Sequence, residues 1–227
     1  MFKGRKIHCL IPARGGSKGI KNKNIIEFCG SPLIYHSIDQ AIGSKYIDEV
    51  FVSSDSDDIL HISENCGAVA IKRPVELSKD DSTSESAIEH FLQTSDCDLL
   101  VFLQATSPLR ESKDIDRAIE KFCNENCDSL FSANEAQDFF VWTVSNKEYK
   151  SLTYNFNKRQ RRQEISDLLL ENGSFYIFNK DKFLQNKNRL FGKIGHYLMD
   201  QWKMHEIDSL NDLELCKFLY NNRMKNG

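Results

Sequence analysis

Residues 7–24 have the sequence Ile-His-Cys-Leu-Ile-Pro-Ala-Arg-Gly-Gly-Ser-Lys-Gly-Ile-Lys-Asn-Lys-Asn. The apolar run from Ile7 to Ile11 is typical of a short buried strand. The loop that follows contains three glycines and four lysine or arginine side chains. Glycine allows backbone N–H groups to turn inward and approach a ligand closely, and the cations add full positive charge. This combination predicts a polyphosphate-binding loop directly after the first strand.

Positive charge is concentrated at the start of the chain. The first 26 residues hold seven lysine or arginine side chains, and Glu27 is the first carboxylate. The whole chain of 227 residues has a formal net charge of −3, which argues against general nucleic-acid binding. The spacing of Gly15, Gly16 and Gly19 matches neither the Walker A loop nor the dinucleotide-binding fingerprint. Composition alone leaves a solvated basic loop as an equal alternative to a phosphate site.

Strand and helix patterns alternate outward from this loop. The predicted strands after 7–11 are 50–53, 68–71, 99–103 and 129–132, and the predicted helices are 32–42, 82–92 and 115–122. The spacing of Ser82 and Glu85 predicts a capping box where the second helix begins. The alternation favours an α/β fold of three layers, a mostly parallel sheet with helices on both faces. Because ligands bind beyond the carboxyl ends of such strands, one edge is expected to carry the loops that begin at Pro12, Ser54, Lys72 and Gln104.

Length and composition suit one globular domain that spans residues 1–227. No apolar run approaches the roughly 20 residues that a membrane span needs, and the start of the chain lacks the long apolar region of a signal peptide. The seven cysteines are scattered and show no zinc-ligand spacing, so we expect buried thiols. These features predict a cytoplasmic protein without membrane or nucleic-acid partners.

Residues 134–165 differ in character from the alternating segments. Six aromatic side chains lie among polar residues there without a helical period. The segment predicts a hairpin-like excursion that packs against another subunit, and a loop-rich cover over the core is the equal alternative. The main fold resumes with a predicted strand at 173–178 and a final helix from Leu210 to about Asn222, capped by Ser209.

Two further segments carry charged side chains that suit a nucleotide site. Residues 204–209 are predicted to form a strand that leads into the last helix, so Glu206 and Asp208 would point to the same face. Two carboxylates beside a triphosphate would form a Mg²⁺ site, and an exposed strand end is the alternative. Residues 158–163 hold four cations in six positions. They form either a solvated patch or a guanidinium contact with a carboxylate or phosphate.

Taken together, these motifs resemble those of the acylneuraminate cytidylyltransferases, the enzymes that make CMP-sialic acids. The matching segments, in chain order, are Arg14 to Asn24, Ser54-Asp55, Arg73-Pro74, Gln104 with Thr106 to Arg110, Arg161-Arg162-Gln163, Asn172-Gly173 through Tyr176, and Glu206-Ile207-Asp208. The resemblance covers nearly the whole chain and implies the nucleotide-diphospho-sugar transferase fold. It also implies a homodimer, in which residues 134–165 contact the partner and close its sugar pocket.

The resemblance further implies roles for individual residues. The implied nucleotide contacts are Arg14, Gly15, Ser17, Lys18, Lys23, Asn24, Arg73 and Ser84. The implied sugar contacts are Gln104, Arg162, Gln163 and Tyr176. Asp208, helped by Glu206, would hold Mg²⁺, and the implied catalytic groups are Arg14, Lys18 and Asp208. The chain departs from the family pattern at Lys21, Ala105, Glu206 and Trp142.

The implied reaction joins CTP to a nine-carbon 2-keto sugar acid, such as N-acetylneuraminic acid, and releases pyrophosphate. Legionaminic and pseudaminic acids remain alternative acceptors. The eight-carbon acid Kdo is less favoured, because its enzymes usually carry an aromatic residue and Ser-Thr-Arg in the first loop. A nucleotide-binding regulator without turnover is the alternative from a different class.

Overall fold

The computed structural model describes residues 1–17, 19–136, 140–158, 161 and 168–223. The strands, numbered in chain order, are β1 (Ile7–Pro12), β2 (Glu27–Phe28), β3 (Ser31–Pro32), β4 (Glu49–Ser54), β5 (Val69–Lys72), β6 (Leu99–Leu103), β7 (Ser129–Glu135), β8 (Trp142–Ser145), β9 (Glu148–Ser151), β10 (Leu169–Asn179) and β11 (Ile194–Leu198). The α-helices are α1 (Leu33–Ile42), α2 (Asp57–Asn65), α3 (Ser84–Leu92), α4 (Ser112–Asn124), α5 (Lys180–Asn186) and α6 (Leu210–Arg223). Short 3₁₀ helices span Lys23–Ile25, Val75–Leu77, Phe156–Lys158 and Gln201–Met204.

Seven strands form the central sheet in the order β11-β7-β10-β6-β1-β4-β5. β10 is antiparallel to β6 and β7, and the other neighbours in the sheet are parallel. Pairing of Pro12 with Ser53, and of Ser54 with Lys72, aligns the carboxyl ends of β1, β4 and β5. The mostly parallel sheet is therefore confirmed, and the loops after β1, β4, β5 and β6 lie at one edge.

Alternate strand positions pack into two apolar clusters, one on each face of the sheet. On one face, Ile7, Cys9 and Ile11 of β1 pack with side chains from α1, α2 and α4. On the other face, Leu10 packs with side chains from α3 and α5. Burial of each such leucine or isoleucine contributes about 1.5–3 kcal/mol. Helices therefore cover both faces, which confirms the predicted three layers.

A third apolar cluster connects α6 to the basic loop. It consists of Ile20, Phe28, Leu33, Leu109, Ile207, Leu213 and Cys216. Because Ile207 lies in this cluster, its neighbours in the chain are carried toward the loop that follows β1. The last helix thus positions a segment that is not part of the sheet.

Two local predictions need correction, and the structure has elements that were not predicted. α3 begins at Ser84 with Thr83 as its cap, because Thr83 Oγ1 accepts from the Ser86 N–H at 3.2 Å while Ser82 Oγ donates to the Glu76 carbonyl. The predicted strand at 204–209 is wrong. A 3₁₀ turn ends at Met204, and the irregular backbone that follows makes a loop contact, Ile207 N–H to the Thr106 carbonyl at 2.8 Å. The elements α2, α5 and β11 are additional to those predicted.

The cap of the last helix is confirmed. Ser209 Oγ accepts from the Asp212 N–H at 3.3 Å, and Asp212 Oδ2 accepts from the Ser209 N–H at 2.8 Å. This reciprocal pair satisfies two backbone donors at the beginning of α6.

A hairpin occurs in the aromatic segment, as predicted. β8 and β9 pair only with each other among the described strands, and their turn has Asn146 and Lys147 at positive φ. Such a turn matches the twist of a two-stranded ribbon. The packing of residues 134–165 against another subunit and the single-domain assignment both stay predictions. Within the described ranges, no helix is long and apolar enough to cross a membrane.

Candidate active site

Two neighbouring cavities open where the parallel strands end. The first, of about 470 Å³, is called the basic-loop cavity and is lined by Pro12, Arg14, Ser17, Gly19, Lys23, Asn24, Arg73, Leu77 to Asp80, Ser82 to Ser84, Gln104, Thr106 and Asp208. The second, of about 540 Å³, is called the β10 cavity and is lined by Gln104, Leu170 to Gly173, Tyr176, Met204 to Glu206, Asp208 and Asp212. Gln104 and Asp208 belong to both linings, so the cavities meet there.

Most of the described site residues predicted from the sequence are brought together in these cavities. Six predicted nucleotide contacts line the basic-loop cavity, namely Arg14, Ser17, Lys23, Asn24, Arg73 and Ser84. The β10 cavity brings together Gln104, Tyr176, Glu206 and Asp208. Lys18, Arg162 and Gln163 lie outside the described residues. The individual roles of all these side chains stay predictions.

The shape of the basic loop is held by two side chains from outside its glycines. Asn24 is buried, and its Nδ2 donates to the Arg14 carbonyl at 2.9 Å. Asp55, at the end of β4, accepts the Gly15 N–H at 2.9 Å. Gly15 is absent from the cavity lining and its N–H is already bonded, so the structure gives it a loop-shaping position. Its contact with a nucleotide stays a prediction.

Two arginines bring positive charge to the basic-loop cavity. Arg14 Nη1 lies 2.9 Å from Asp80 Oδ1 and donates to the Lys79 carbonyl at 3.2 Å. Arg73 is only 4 % exposed, and its Nε donates to Ser78 Oγ at 2.8 Å. Burial lowers the pKa of Arg73, and no carboxylate in the described part of the chain lies within ion-pair distance of it. The charge of Asp55 partly offsets the effect of burial, but a buried guanidinium that contacts no carboxylate is costly, which suits a site for an anionic or carbonyl-bearing ligand.

The basic loop docks directly on the segment that carries Asp208. Lys23 Nζ lies 2.8 Å from Asp208 Oδ1. Gly19 packs against the Asp208 carbonyl so closely that a Cβ at this position would collide with it. Asp208 therefore lies between the two cavities although it is not part of a strand. The basic loop and the apolar cluster around Ile207 hold it there.

Glu206 lies half-buried beside Asp208. Ser107 Oγ donates to Glu206 Oε1 at 3.4 Å, and Gly173, with φ +69°, packs so tightly on this carboxylate that a Cβ would collide with it. Burial, and next the negative charge of Asp208, raise the pKa of Glu206. The charge repulsion between the two carboxylates would be relieved by a cation between them.

The donor set fits Mg²⁺ bound together with phosphate oxygens. Glu206 and Asp208 supply carboxylate oxygens, the ligand type that Mg²⁺ prefers. Among the described residues there is no group of three or more histidine, cysteine, aspartate or glutamate side chains arranged to hold a metal. Because Mg²⁺ is usually held by one or two carboxylates plus substrate phosphates, two carboxylates are sufficient for this mode of binding.

Tyr176 is buried at the wall of the β10 cavity. Its hydroxyl donates to Glu171 Oε1, and burial and this hydrogen bond raise the pKa of the phenol. The guanidinium of Arg189 lies 4.8 Å from the centre of the Tyr176 ring and forms an ion pair with Glu85 of α3 at 2.7 Å. These contacts on the ring face and at the hydroxyl fix the orientation of Tyr176.

Arg110 is a site-forming residue that the sequence analysis included only as part of a motif. It is fully buried, and its guanidinium donates to the Gln104 carbonyl at 3.0 Å, to the Ser174 carbonyl at 2.9 Å and to Ser37 Oγ. Burial lowers the pKa of Arg110 to about 10. Arg110 thereby ties the Gln104 loop to β10 at the junction of the two cavities. The sequence signal for it is a charged residue at the end of the loop after β6.

Known proteins are similar to this chain in sequence and in fold. Residues 8–225 match the family model described as Cytidylyltransferase. The chain is 37% identical over 226 residues to "Post-translational flagellin modification protein B" of Campylobacter coli, covering 94% of each chain. It is 32% identical over 224 residues to the pseudaminic acid cytidylyltransferase of Campylobacter jejuni, covering 93% of this chain and 95% of the relative.

A third relative is longer. The N-acylneuraminate cytidylyltransferase of Streptococcus agalactiae serotype III is 35% identical over 209 residues, which cover 90% of this chain and 51% of that protein. The chain thus spans about half the length of this relative.

Two solved structures share the fold at low sequence identity. The CMP:2-keto-3-deoxy-manno-octonic acid synthetase complexed with CTP has a TM-score of 0.73 at 18% identity, with 96% of this chain and 99% of that chain covered. The 4-diphosphocytidyl-2C-methyl-D-erythritol synthase of Anaerococcus prevotii has a TM-score of 0.69 at 15% identity, with 97% and 100% covered. The match of the family model across residues 8–225, and the relatives that align along their whole length, show that this chain belongs to the cytidylyltransferase family.

Proposed function

We propose that this chain transfers CMP from CTP to the anomeric hydroxyl of a nine-carbon 2-keto sugar acid, N-acetylneuraminic acid or a close analogue. The observation that carries the proposal is the pair of cavities that meet at Gln104 and Asp208. A basic cavity suits the triphosphate and an adjoining cavity of similar volume suits the acceptor. A solved structure of similar fold is described as complexed with CTP, and two relatives are named for N-acylneuraminate and pseudaminic acid.

In the proposed reaction the anomeric oxygen bonds to the α-phosphorus while the bond from that phosphorus to pyrophosphate breaks. The chain contributes mainly by positioning the reactants and stabilising negative charge. Arg14, Lys18 and Lys23 would bind the phosphates. Gln104 would orient the acceptor at the junction, and the exposed carboxylate of Asp208 is the proposed recipient of the hydroxyl proton.

We also propose that Glu206 and Asp208 hold Mg²⁺. The proximity of the two carboxylates and the raised pKa of Glu206 support this assignment. The ion would supply positive charge that stabilises the departing pyrophosphate. Lys23, which lies 2.8 Å from Asp208 Oδ1, would exchange this contact for a phosphate oxygen when the nucleotide binds.

Pseudaminic or legionaminic acid is the second candidate acceptor class. Pseudaminic acid is favoured by the Campylobacter jejuni relative that is named for it and aligns with this chain over almost its whole length, whereas the streptococcal relative is about twice as long. The likeness to the synthetase for the eight-carbon acid is a likeness of fold alone.

A homodimer in the cytoplasm is the proposed state of the protein. The hairpin β8–β9 and its surroundings expose Trp142, Tyr149 and Phe156, which suits contact with a second copy. No disulfide joins cysteines in the described part of the chain, which suits a reducing compartment. Light scattering of the purified protein would test the dimer, and a monomeric mass at working concentration would contradict it.

Pyrophosphate release tests the activity. The protein is incubated with CTP, Mg²⁺ and one acceptor at a time, namely N-acetylneuraminic acid, legionaminic acid, pseudaminic acid or Kdo. The products are analysed by mass spectrometry. A CMP-sugar from a nine-carbon acid is the expected product. Release with Kdo alone would overturn the acceptor class, and CTP binding without release in any arm would favour a nucleotide-binding regulator.

A further inference from the structure

The two linings determine which part of the acceptor reaches each residue of the β10 cavity. Gln104 and Asp208 line both cavities, whereas Glu171 and Tyr176 line only the β10 cavity. Under the proposed function, the anomeric carbon must reach the α-phosphate and therefore lies near the junction. The carboxylate of a 2-keto sugar acid is bonded to that same carbon. The remaining carbons of the sugar then extend toward Glu171 and Tyr176.

Glu171 and Tyr176 present hydrogen-bond acceptors to this part of the ligand. The Tyr176 hydroxyl uses its proton in the bond to Glu171 Oε1, so only its lone pairs remain. Glu171 Oε2 has no hydrogen-bond partner within the described part of the chain, and the residue is exposed. Tyr176 is itself fixed by Arg189 on its ring face. This wall is therefore built to receive a donor from the ligand.

The described part of the lining is acidic, which favours a donor that is positive or strongly polarised. Its described lining holds four carboxylates, Glu171, Glu206, Asp208 and Asp212, and no lysine or arginine. Three of the four are already used in the structure or in the proposed function. Glu206 and Asp208 form the proposed metal pair, and Asp212 caps α6. Glu171 uses one carboxylate oxygen to accept from the Tyr176 hydroxyl, and its second oxygen has no assigned role.

We infer that Glu171, held by Tyr176, determines acceptor specificity by binding an N–H group on the part of the sugar acid remote from its anomeric carbon. The group would be an amino, amidino or acylamino substituent. The inference rests on the proposed CMP transfer and specifies the acceptor class that this transfer uses. A second anionic group at the remote end of the acceptor would be repelled by the same carboxylate.

Matched acceptors test the inference. Two pairs of nine-carbon sugar acids are compared. In the first pair the two acids differ only at C7, where one carries a hydroxyl group and the other an amino group. In the second pair the same difference is at C9. We expect the unmodified protein to prefer the amino member of at least one pair in kcat/KM. Glu171→Gln keeps the shape but removes the charge, and it should reduce that preference about tenfold or more while leaving the KM for CTP unchanged.

Two further variants complete the design. Glu171→Asp keeps the negative charge and should retain more of the preference than Glu171→Gln. Glu64→Gln removes an exposed carboxylate on α2, outside both cavities, and should leave the preference unchanged. Thermal unfolding of every variant, together with an unchanged KM for CTP, establishes that the fold is intact.

The outcomes separate the inference from the proposed function. Equal preference ratios in the unmodified protein and in Glu171→Gln for both pairs would overturn the role of Glu171 and leave CMP transfer standing. If the unmodified protein transfers CMP to none of the acceptors, the proposed function is overturned, and this inference with it. A loss of preference in Glu171→Gln with turnover of the parent acid retained would support both.

Discussion

The basic-loop cavity and the β10 cavity lie side by side at one sheet edge, but they are assembled differently. The basic-loop cavity is formed mainly by the segments that follow the parallel strands β1, β5 and β6 and by the beginning of α3. The β10 cavity combines the beginning of an antiparallel strand with an irregular segment held by α6. The lining of the first belongs mostly to short motifs that are recognisable in the sequence, whereas the second is shaped mainly by contacts between residues far apart in the chain. Substitutions should therefore affect the two cavities in different ways.

The largest effect is expected at the junction. Asp208→Ala should lower kcat by about a thousandfold, because the variant loses a group that serves both cavities and the proposed metal. Its free energy of unfolding should change little, since Asp208 is 71% exposed. Pyrophosphate release and urea unfolding provide the two measurements. Asp58→Asn, an exposed aspartate on α2, is the control. Near-normal turnover of Asp208→Ala would refute its assignment.

Arg110→Met should affect the β10 cavity and the stability together. It removes the charged donor from the carbonyls of Gln104 and Ser174, which keep backbone donors at 3.3 and 3.1 Å, at a cost of about 3 kcal/mol in the free energy of unfolding. The displaced Gln104 loop should raise the acceptor KM more than the CTP KM. Urea unfolding and steady-state kinetics test both effects. Arg223→Met, at the exposed end of α6, serves as the control, and equal stability of the two variants would contradict the positioning role.

Gly173→Ala tests whether the irregular part of β10, between Glu171 and Tyr176, positions Glu206. A Cβ there would collide with the Glu206 carboxylate, and the positive φ adds strain of about 1 kcal/mol. Gly4→Ala is a matched control, because Gly4 has φ +74° but nothing within 4 Å of an added Cβ. The Mg²⁺ concentration for half-maximal activity should rise about tenfold in Gly173→Ala alone. The same Mg²⁺ requirement in both variants would contradict a role of Gly173 in positioning Glu206.

The smallest effect is expected for Lys23→Met in the basic-loop cavity. The ion pair between Lys23 and exposed Asp208 should contribute less than about 1 kcal/mol to stability. The CTP KM should nevertheless rise about tenfold, because a phosphate contact is lost, while the acceptor KM stays unchanged. Lys45→Met removes an exposed lysine outside both cavities for comparison. A larger rise in the acceptor KM than in the CTP KM would contradict the phosphate contact proposed for Lys23.

Sequence patterns predicted the features that depend on neighbouring residues. The β1 strand, the basic loop after it and the Ser209 cap all follow from local order and are present in the structure. The predicted strand at 204–209 was wrong because a short alternation of polar and apolar residues also fits an irregular segment. In the fold, Ile207 packs into the α6 cluster and bonds to the Thr106 carbonyl rather than to a strand.

Contacts across large sequence separations could not be predicted in this way. Arg110 reaches Ser174 because the sheet order brings β6 next to β10. Arg110 also reaches Ser37 of α1, and Gly173 makes room for Glu206 in the segment before α6. The bond from Tyr176 to Glu171 likewise depends on the irregular pairing of β10 with β7 between these two residues. A glycine or an arginine in the sequence does not reveal which distant group it serves.

The reversed direction of β10 has a consequence for how such a protein can diversify. Because β10 runs antiparallel to β6 and β7, it begins at the edge where they end, and residues 170–173 line the β10 cavity without belonging to the loops of the basic-loop cavity. Under the proposed function, substitutions there would alter the range of sugars accepted and leave the triphosphate contacts untouched. One strand running against the others would thus let a single sheet edge evolve the two proposed recognition tasks independently.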